Sequence, residues 1–186
     1  SVAGGAGRAV DLCAAPGTKT GHLEERAAAG TCLVALDPSP GRMRRLARGL
    51  GRSGSAQTRI HPVVSDGRRV PVRPPWAAVL VDAPCSNLGV LRRRLDLKWR
   101  AREEEILRLA ALQAELLPAA AAGCVAGGYL VYSVCTTEAE ETVEQRDRFF
   151  AGHPDWSPAP LPSVVPAEAR GREGEMLLAP GRLETD

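Results

Sequence analysis

Two cysteine motifs, about fifty residues apart, contain the side chains of this sequence best suited to covalent chemistry. The first is Asp82-Ala-Pro-Cys85-Ser and the second is Tyr132-Ser-Val-Cys135-Thr. A thiolate is a strong nucleophile, and a nearby carboxyl group can exchange protons with a reacting base. Two thiols, one of them close to a carboxylate, therefore indicate covalent catalysis rather than packing.

Each cysteine motif follows a short apolar run of the strand type. Residues 77–81 precede the first motif, and residues 129–134 lead into the second. In an open parallel sheet, ligands bind at the edge where the strands have their carboxyl ends. We therefore expect both thiols to lie at that edge.

A loop of small residues near the start carries the clearest ligand signal. It runs Asp11-Leu-Cys-Ala-Ala-Pro-Gly17-Thr-Lys-Thr20, between a predicted strand and a predicted helix, so a ligand can approach the backbone at a helix amino terminus. Asp37, about twenty residues beyond Gly17, ends the next predicted strand, where a carboxylate can accept hydrogen bonds from ribose hydroxyls. Asp66 follows a third strand and is a candidate partner for an adenine amino group, although the pair Asp66-Gly67 is also typical of a simple turn.

The glycine patterns that bind phosphates are missing from this loop. It contains neither Gly-Lys-Ser/Thr nor Gly-x-Gly-x-x-Gly, which are the signatures of phosphate loops and dinucleotide sites. A nucleoside ligand without a pyrophosphate is therefore favoured.

Short apolar runs alternate with longer amphipathic ones, which predicts an α/β fold with a mostly parallel sheet flanked by helices. We expect the arginines of the second helix on its solvated face. The pair Gly127-Gly128 is expected to turn the chain into the last strand, and Thr137 with Glu140 resembles a capping box. The predicted strands are 9–13, 33–37, 59–64, 77–81 and 129–134, and the predicted helices are 18–29, 40–50 and 101–117.

Composition excludes several classes of protein. The 186 residues carry 24 basic and 22 acidic side chains, a net charge of +2, which permits a nucleic-acid partner without arguing for one. Aromatic residues make up 4%, which disfavours a stacking platform for single strands. The length suits one domain with a sizeable core.

The cysteines and histidines favour a reducing setting without a metal. Five cysteines with no Cys-x-x-Cys pair do not form a disulfide framework, and the three histidines show no ligand spacing. Because there is neither a signal-type start nor a span near twenty apolar residues, we expect a cytoplasmic protein with no membrane partner.

Four motifs together resemble the RNA 5-methylcytosine methyltransferases of the NOL1/NOP2/Sun group. These motifs are Asp11-Leu-Cys-Ala-Ala-Pro-Gly, Asp82-Ala-Pro-Cys-Ser, Arg92-Arg-Arg-Leu-Asp-Leu-Lys-Trp99 and Val131-Tyr-Ser-Val-Cys-Thr136. The resemblance implies a Rossmann-like class I methyltransferase fold that uses S-adenosylmethionine. It also implies that the whole chain, residues 1–186, is one catalytic domain, without the RNA-binding region that usually precedes it and without the last strand of the sheet.

The resemblance also implies roles for individual residues. Cys135 is expected to be the nucleophile, Cys85 to assist release of the product, Asp82 to donate a proton or hydrogen bond to the base, and Lys19 to favour the thiolate. The expected cofactor-binding residues are Cys13, Ala14, Ala15, Pro16, Gly17, Lys19, Asp37, Asp66 and Asp82, and the expected RNA contacts are Arg92, Arg93 and Lys98.

The favoured interpretation is a monomeric RNA cytosine-C5 methyltransferase acting on ribosomal RNA, as the family's bacterial members imply. A transfer RNA substrate stays open as an alternative. A DNA cytosine-C5 methyltransferase is disfavoured, because those enzymes use the Pro-Cys cysteine as nucleophile and have no counterpart of Cys135. A non-catalytic module that binds S-adenosylmethionine or RNA is the alternative from another class.

Overall fold

Five parallel strands form the sheet, in the order β3-β2-β1-β4-β5, in a computed structural model that describes residues 7–50, 59–171 and 174–178. The strands are β1 Arg8–Asp11, β2 Cys32–Asp37, β3 Arg59–Val64, β4 Trp76–Asp82 and β5 Cys124–Ser133. The helices are α1 Thr18–Arg26, α2 Pro40–Gly49, α3 Leu97–Arg100, α4 Glu103–Ala121 and α5 Val143–Gly152, with 3-10 turns at Leu88–Val90, Ala139–Glu141 and Ala167–Ala169. The predicted fold class, a mostly parallel sheet flanked by helices, is confirmed.

The strand order reverses between β1 and β4. From the central strand β1 the chain first adds β2 and β3 on one side and then β4 and β5 on the other. Such a switch point opens a crevice outside the carboxyl ends of the two strands. Asp11 and Asp82, the last residues of β1 and β4, lie at this point.

Burial explains why the first helices pack where they do. In β2, Leu33 and the four residues after it are all buried, as expected for an inner strand covered on both faces. Met43 and Leu46 of α2 pack with Ala14, Ala15 and Ala35. Helix α2 itself begins at a favourable cap, because the Ser39 side chain accepts the Arg42 N–H at 3.3 Å and Pro40 occupies the first turn.

The last strand differs from its prediction. It begins at Cys124 rather than after the glycine pair, and its pairing with β4 is irregular between Trp76 and Ala78. Gly127 adopts a positive φ of 74°, and a Cβ on Gly128 would lie 2.7 Å from Cys124 Sγ. The glycines therefore form an irregularity inside β5 instead of a turn that precedes it.

Several helix boundaries also differ from their predictions, and α4 spans Glu103–Ala121 instead of 101–117. Helix α1 ends at Arg26 instead of residue 29, because Ala27 is extended with ψ of 146°. The expected capping box is absent: Glu138 precedes the 3-10 turn without a side-chain cap, and α5 begins only after Thr142. Thr142 Oγ1 instead donates to the Glu138 carbonyl at 2.6 Å.

The chain forms two compact units. The first comprises Ser1–Pro84 and Glu115–Ser133 and includes the whole sheet, and the second comprises Cys85–Ala114 and Val134–Asp186. Both cysteine motifs cross from one unit to the other along the chain. The expected single catalytic domain stays a prediction.

The described residues contain neither a membrane-spanning helix nor a group of side chains that could hold a metal ion. In residues 7–50, 59–171 and 174–178, no helix has the length and apolar content needed to cross a membrane. Within the same ranges, no group of three or more His, Cys, Asp or Glu side chains is arranged to hold a metal ion.

Candidate active site

The small-residue loop of the first unit turns at Gly17. Its φ is 112°, a backbone conformation that residues other than glycine rarely adopt. A Cβ at this position would lie 3.2 Å from Leu46 Cγ. Gly17 is the N-cap of α1 and provides no side-chain hydrogen bond. The first N–H groups of α1 are therefore not capped by that side chain, which suits the approach of a ligand.

Asp11 holds this loop from inside. It is 1% exposed and accepts hydrogen bonds from Thr20 Oγ1 at 2.8 Å and from the Cys13 N–H at 3.3 Å. Burial outweighs these bonds and raises the pKa of Asp11 to about 6. No separate role was assigned to Asp11 from sequence, where it counted only as the first residue of the loop motif.

Cys13 is an unreactive thiol. Burial, followed by the negative charges of Asp11, Asp37 and Asp82, raises the pKa of Cys13 to about 12. It is therefore almost entirely protonated at neutral pH. The expected contact of Cys13 with the cofactor would involve its backbone or its neutral side chain, not a thiolate.

Asp37 is the last residue of β2 and is fully buried. Both of its carboxylate oxygens bind groups of nearby residues. One oxygen accepts the Ser39 N–H at 2.9 Å, and the other pairs with Arg42 Nη2 at 3.0 Å. The same Nη2 donates to the Ala15 carbonyl, so Arg42 links the end of β2 to the small-residue loop. Arg42 is exposed, as predicted for the solvated face of α2, but the sequence did not predict that its guanidinium also reaches these two oxygen acceptors.

A cation lies at the end of β4. Lys19 Nζ forms an ion pair with Asp82 and also donates to Ser133 Oγ at 3.0 Å. Asp82 and Ser133 are register partners in the β4–β5 ladder, so α1 brings Lys19 to the point where both strands end. Lys19 is therefore the counter-ion of Asp82 at this edge of the sheet.

Asp66 is already engaged by a neighbouring side chain. It forms an ion pair with Arg68 at 2.6 Å, and Arg68 also pairs with Glu115 at 2.9 Å. Arg68 lowers the pKa of Asp66 through these hydrogen bonds. Gly67, which separates Asp66 from Arg68, lies so close to the small-residue loop that a Cβ on it would be 2.8 Å from the Leu12 carbonyl oxygen. Asp66 is therefore near that loop.

In the second unit the two thiol-bearing segments are hydrogen-bonded to each other. The Cys135 N–H donates to Cys85 Sγ at 3.1 Å, and the Gly89 N–H donates to the Cys135 carbonyl at 3.0 Å. The next residue of each motif adds a third link, because Ser86 Oγ and Thr136 Oγ1 are 3.0 Å apart. The two cysteines that were predicted to act together are therefore neighbours.

The two thiols differ in environment. Cys135 is exposed and Cys85 is buried. Burial raises the pKa of Cys85, although N–H donors of Cys135 and Asn87 oppose the shift. Cys135 is thus the accessible thiol, and the buried Cys85 holds its proton more firmly than an ordinary cysteine does.

A buried carboxylate lies beside these segments. Glu141, with 0% exposure, accepts the Ser86 N–H at 3.0 Å and Gln113 Nε2 at 3.0 Å. Local sequence patterns do not indicate this role for Glu141, because its hydrogen-bond partner Ser86 is 55 positions away along the chain.

The expected RNA contacts lie on an exposed segment of the second unit. Arg92, Arg93 and Lys98 are all exposed, and they lie between the 3-10 turn Leu88–Val90 and the end of α3. Trp99 is 83% exposed, with Lys98 Nζ 5.6 Å from its ring centroid. An exposed indole beside cations is suited to stacking with a base.

The site residues thus fall into two groups. The first unit holds Cys13 to Gly17, Lys19, Asp37, Asp66 and Asp82, and the second holds Cys85, Cys135 and the basic segment. Three residues with defined contacts were missed from sequence, and they are Asp11, Arg42 and Glu141.

The chain is similar to known RNA methyltransferases. A family described as 16S rRNA methyltransferase RsmB/F matches residues 5–186. Ribosomal RNA small subunit methyltransferase B of Serratia proteamaculans is 39% identical over 153 residues, which cover 78% of this chain and 34% of that protein. The chain therefore spans about a third of the length of this curated relative.

Two solved structures share the fold closely. The crystal structure of PH0851 superposes with a TM-score of 0.82 at 34% identity, over 92% of this chain and 38% of that one. NSun6 from Pyrococcus horikoshii, solved with the S-adenosylmethionine analogue SFG, gives a TM-score of 0.69 at 31% identity, over 78% of this chain and 37% of that one.

Proposed function

The chain belongs to the 16S rRNA methyltransferase RsmB/F family, and from this premise we propose that it methylates carbon C5 of a cytosine in RNA. The observation that carries the proposal is the pair of thiols in the second unit. Cys135 is exposed while its N–H holds Cys85 Sγ at 3.1 Å. One accessible nucleophile beside a second thiol is what addition to a base and later release require.

The residues of the first unit fit S-adenosylmethionine as the methyl donor. The loop Cys13 to Gly17 leads into a helix start without a side-chain cap, and such a helix amino terminus suits a ligand. Asp37 offers carboxylate oxygens to ribose hydroxyls, sharing them with Arg42 and the Ser39 N–H. Asp66 would accept the adenine amino group beside its contact with Arg68. When bound, this cofactor supplies the electrophilic methyl group that the C5 carbon of an activated cytosine attacks.

Activation of the cytosine begins at sulfur. Cys135, as a thiolate, adds to C6 and converts the ring into an enamine whose C5 carbon is nucleophilic. Charge develops on N3 during this addition. Asp82 donates a proton or a hydrogen bond to N3, and Lys19, its ion-pair partner, can resupply that proton.

Release completes the reaction. The C5 proton leaves to a base, its electron pair forms the C5–C6 double bond, and the C6–Sγ bond breaks so that Cys135 departs as a thiolate. N3 returns its proton to Asp82, which restores the neutral base. Cys85, held beside Cys135, assists this elimination.

Ribosomal RNA is the proposed substrate because the curated relative is named for it. Arg92, Arg93 and Lys98 are proposed to bind its phosphates, since they are exposed cations on one short segment. This substrate implies a cytoplasmic protein, and we propose that it acts as a monomer.

The test is covalent trapping on RNA containing 5-azacytidine. In that base nitrogen replaces C5, so the methylated adduct has no C5 proton to lose and stays attached. We expect wild type and the control Cys32→Ser to form the adduct and Cys135→Ser to form none. Ordinary cytosine RNA should remain attached to Cys85→Ser, because release is impaired.

The other outcomes identify the alternatives. An adduct that depends on Cys85 instead of Cys135 would reverse the roles of the two thiols. No adduct with any RNA, despite measurable binding of S-adenosylmethionine, would indicate a non-catalytic module. Adduct formation on a transfer RNA transcript but not on a 16S rRNA transcript would assign the alternative substrate.

A further inference from the structure

Glu141 is a charged side chain in a fully buried place. It has 0% exposure, and burying a carboxylate is costly unless hydrogen bonds compensate. Its hydrogen-bond donors include the Ser86 N–H, at 3.0 and 3.3 Å from its two oxygens, and Gln113 Nε2, at 3.0 Å. The structure therefore holds a buried carboxylate directly against the backbone of Ser86.

Ser86 connects this carboxylate to both thiols. It directly follows Cys85, and its N–H belongs to the peptide group joined to Cys85, so a bond to that N–H restrains the backbone that directs the thiol. Its hydroxyl lies 3.0 Å from Thr136 Oγ1, and Thr136 directly follows Cys135. Through one residue, Glu141 thus restrains the two segments on which Cys85 and Cys135 lie.

We infer that Glu141 is a positioning residue, which orients Cys85 for breakdown of the covalent adduct between Cys135 and the methylated base. This inference rests on the proposed function. Glu141 acts through Ser86 and does not touch the base. The step it affects is loss of the C5 proton with formation of the C5–C6 double bond and departure of Cys135 as a thiolate, which is the step assigned to Cys85.

A positioning role and a purely structural role for Glu141 predict changes in different rate constants. A carboxylate needed only for folding would, when removed, lower thermal stability and slow addition and release alike. A carboxylate that orients Cys85 affects release while addition, which depends on the exposed Cys135, stays close to wild type.

The experiment measures the two steps separately in the full chain, using cytosine RNA and S-adenosylmethionine in single-turnover reactions, with adduct and free product resolved on denaturing gels. Glu141→Ala should form the adduct within about threefold of the wild-type rate and release it about 10- to 100-fold more slowly, the cost typical of a misplaced catalytic group. Glu144→Ala, which removes the same charge from an exposed position, should behave as wild type.

Rescue by a conservative variant sharpens the result. Glu141→Gln keeps a carbonyl oxygen that can accept from both donors, so most of the release rate should return. Equal slowing of addition and release, without rescue by Glu141→Gln, would overturn the inference in favour of a structural role.

Two further outcomes separate this inference from the proposed function. If Glu141→Ala does not fold, Glu141→Asp provides the comparison, since it keeps the charge but withdraws it from Ser86 by one methylene, and release at the wild-type rate in that variant would overturn the inference. A wild-type adduct with 5-azacytidine RNA and unaltered release in every Glu141 variant rejects this inference alone. Absence of any wild-type adduct rejects the proposed function, and the inference with it.

Discussion

The small-residue loop of the first unit and the paired thiol segments of the second unit stabilise their polar groups in different ways. In the first unit, carboxylates are matched to cations: Asp37 to Arg42 and Asp82 to Lys19. In the second, a thiol and two hydroxyls are held by hydrogen bonds in which neither partner is charged, with Glu141 as the buried charge behind them. Cys135, the thiol at the end of this arrangement, stays exposed.

Under the proposed function, the difference corresponds to two chemical tasks. A cofactor with a sulfonium and an amino group is best received by fixed carboxylates, whose positions are set before it binds. A nucleophilic thiol must instead stay accessible to a base, while a second thiol is held next to it. The comparison predicts that substitutions in the first unit affect cofactor binding and proton supply, and that those in the second affect covalent steps.

The largest expected effect concerns the ion pair of the first unit. Lys19→Met should lower methyl transfer by about 10²- to 10⁴-fold, the range for loss of a general acid–base partner, because Asp82 then loses the cation that shares its proton. Steady-state kinetics on RNA would measure it, with Arg45→Met, at an exposed position of α2, as control. An unchanged rate would remove Lys19 from the mechanism.

The thiols themselves provide the next test. At pH 8, iodoacetamide should modify Cys135 at least about 100-fold faster than Cys13, because raising a thiol pKa by three units leaves about a thousandth of the thiolate. The pKa of Cys13 is about 12 and that of Cys85 is also raised, whereas Cys135 is exposed. Peptide mass spectrometry of samples taken over time measures the order in which the cysteines are modified. Rapid labelling of Cys13 would contradict the difference between the two regions.

Asp11 should make the stability of the protein depend on pH. Its folded pKa is about 6 against 3.8 for the free group, so the folded state binds the proton more tightly than the unfolded state. The stabilisation from this group is complete below pH 3.8 and is lost as the pH rises through about 6.

Substitution of Asp11 isolates that contribution. Asp11→Asn should be more stable than wild type at pH 8 by on the order of 3 kcal/mol, at roughly 1.4 kcal/mol per pKa unit, and equal to it near pH 4. The amide can still accept the Cys13 N–H and donate to Thr20 Oγ1. Urea unfolding at both pH values measures the difference, with Asp155→Asn as an exposed control. Identical pH profiles would show that the folded pKa is not raised.

The smallest expected effect is on cofactor affinity. Asp37→Asn should weaken binding of S-adenosylmethionine by about tenfold, the loss of one charged hydrogen bond. Calorimetry with the same Asp155→Asn control would measure it. Unchanged affinity would mean that Arg42 keeps Asp37 from the ribose.

Much of the scaffold follows from local patterns. The strand 59–64 has the predicted bounds, and the neighbouring β4 and β5 place the two cysteine motifs directly after their carboxyl ends. Alternation of apolar runs and helical periodicity is enough for this, because burial of one face is encoded residue by residue along each element. The motifs of Cys85 and Cys135, the cysteines of the proposed mechanism, were also recognisable in the sequence, since each motif is contiguous.

The remaining site residues depend on contacts between distant parts of the chain. Arg42 looked like one of several surface arginines until α2 brought it to Asp37 and to Ala15, 27 residues away. Glu141 looked like a helix-start acid until folding placed it against Ser86.

The sequence by itself thus determined the fold class and the reactive groups of this protein, because periodicity and short motifs are local properties. Only the tertiary structure decided which acids are buried, which of them is paired with a cation, and which thiol is exposed. Those properties arise from desolvation and from hydrogen bonds across the fold, and neither is a property of a residue type or of its spacing along the chain.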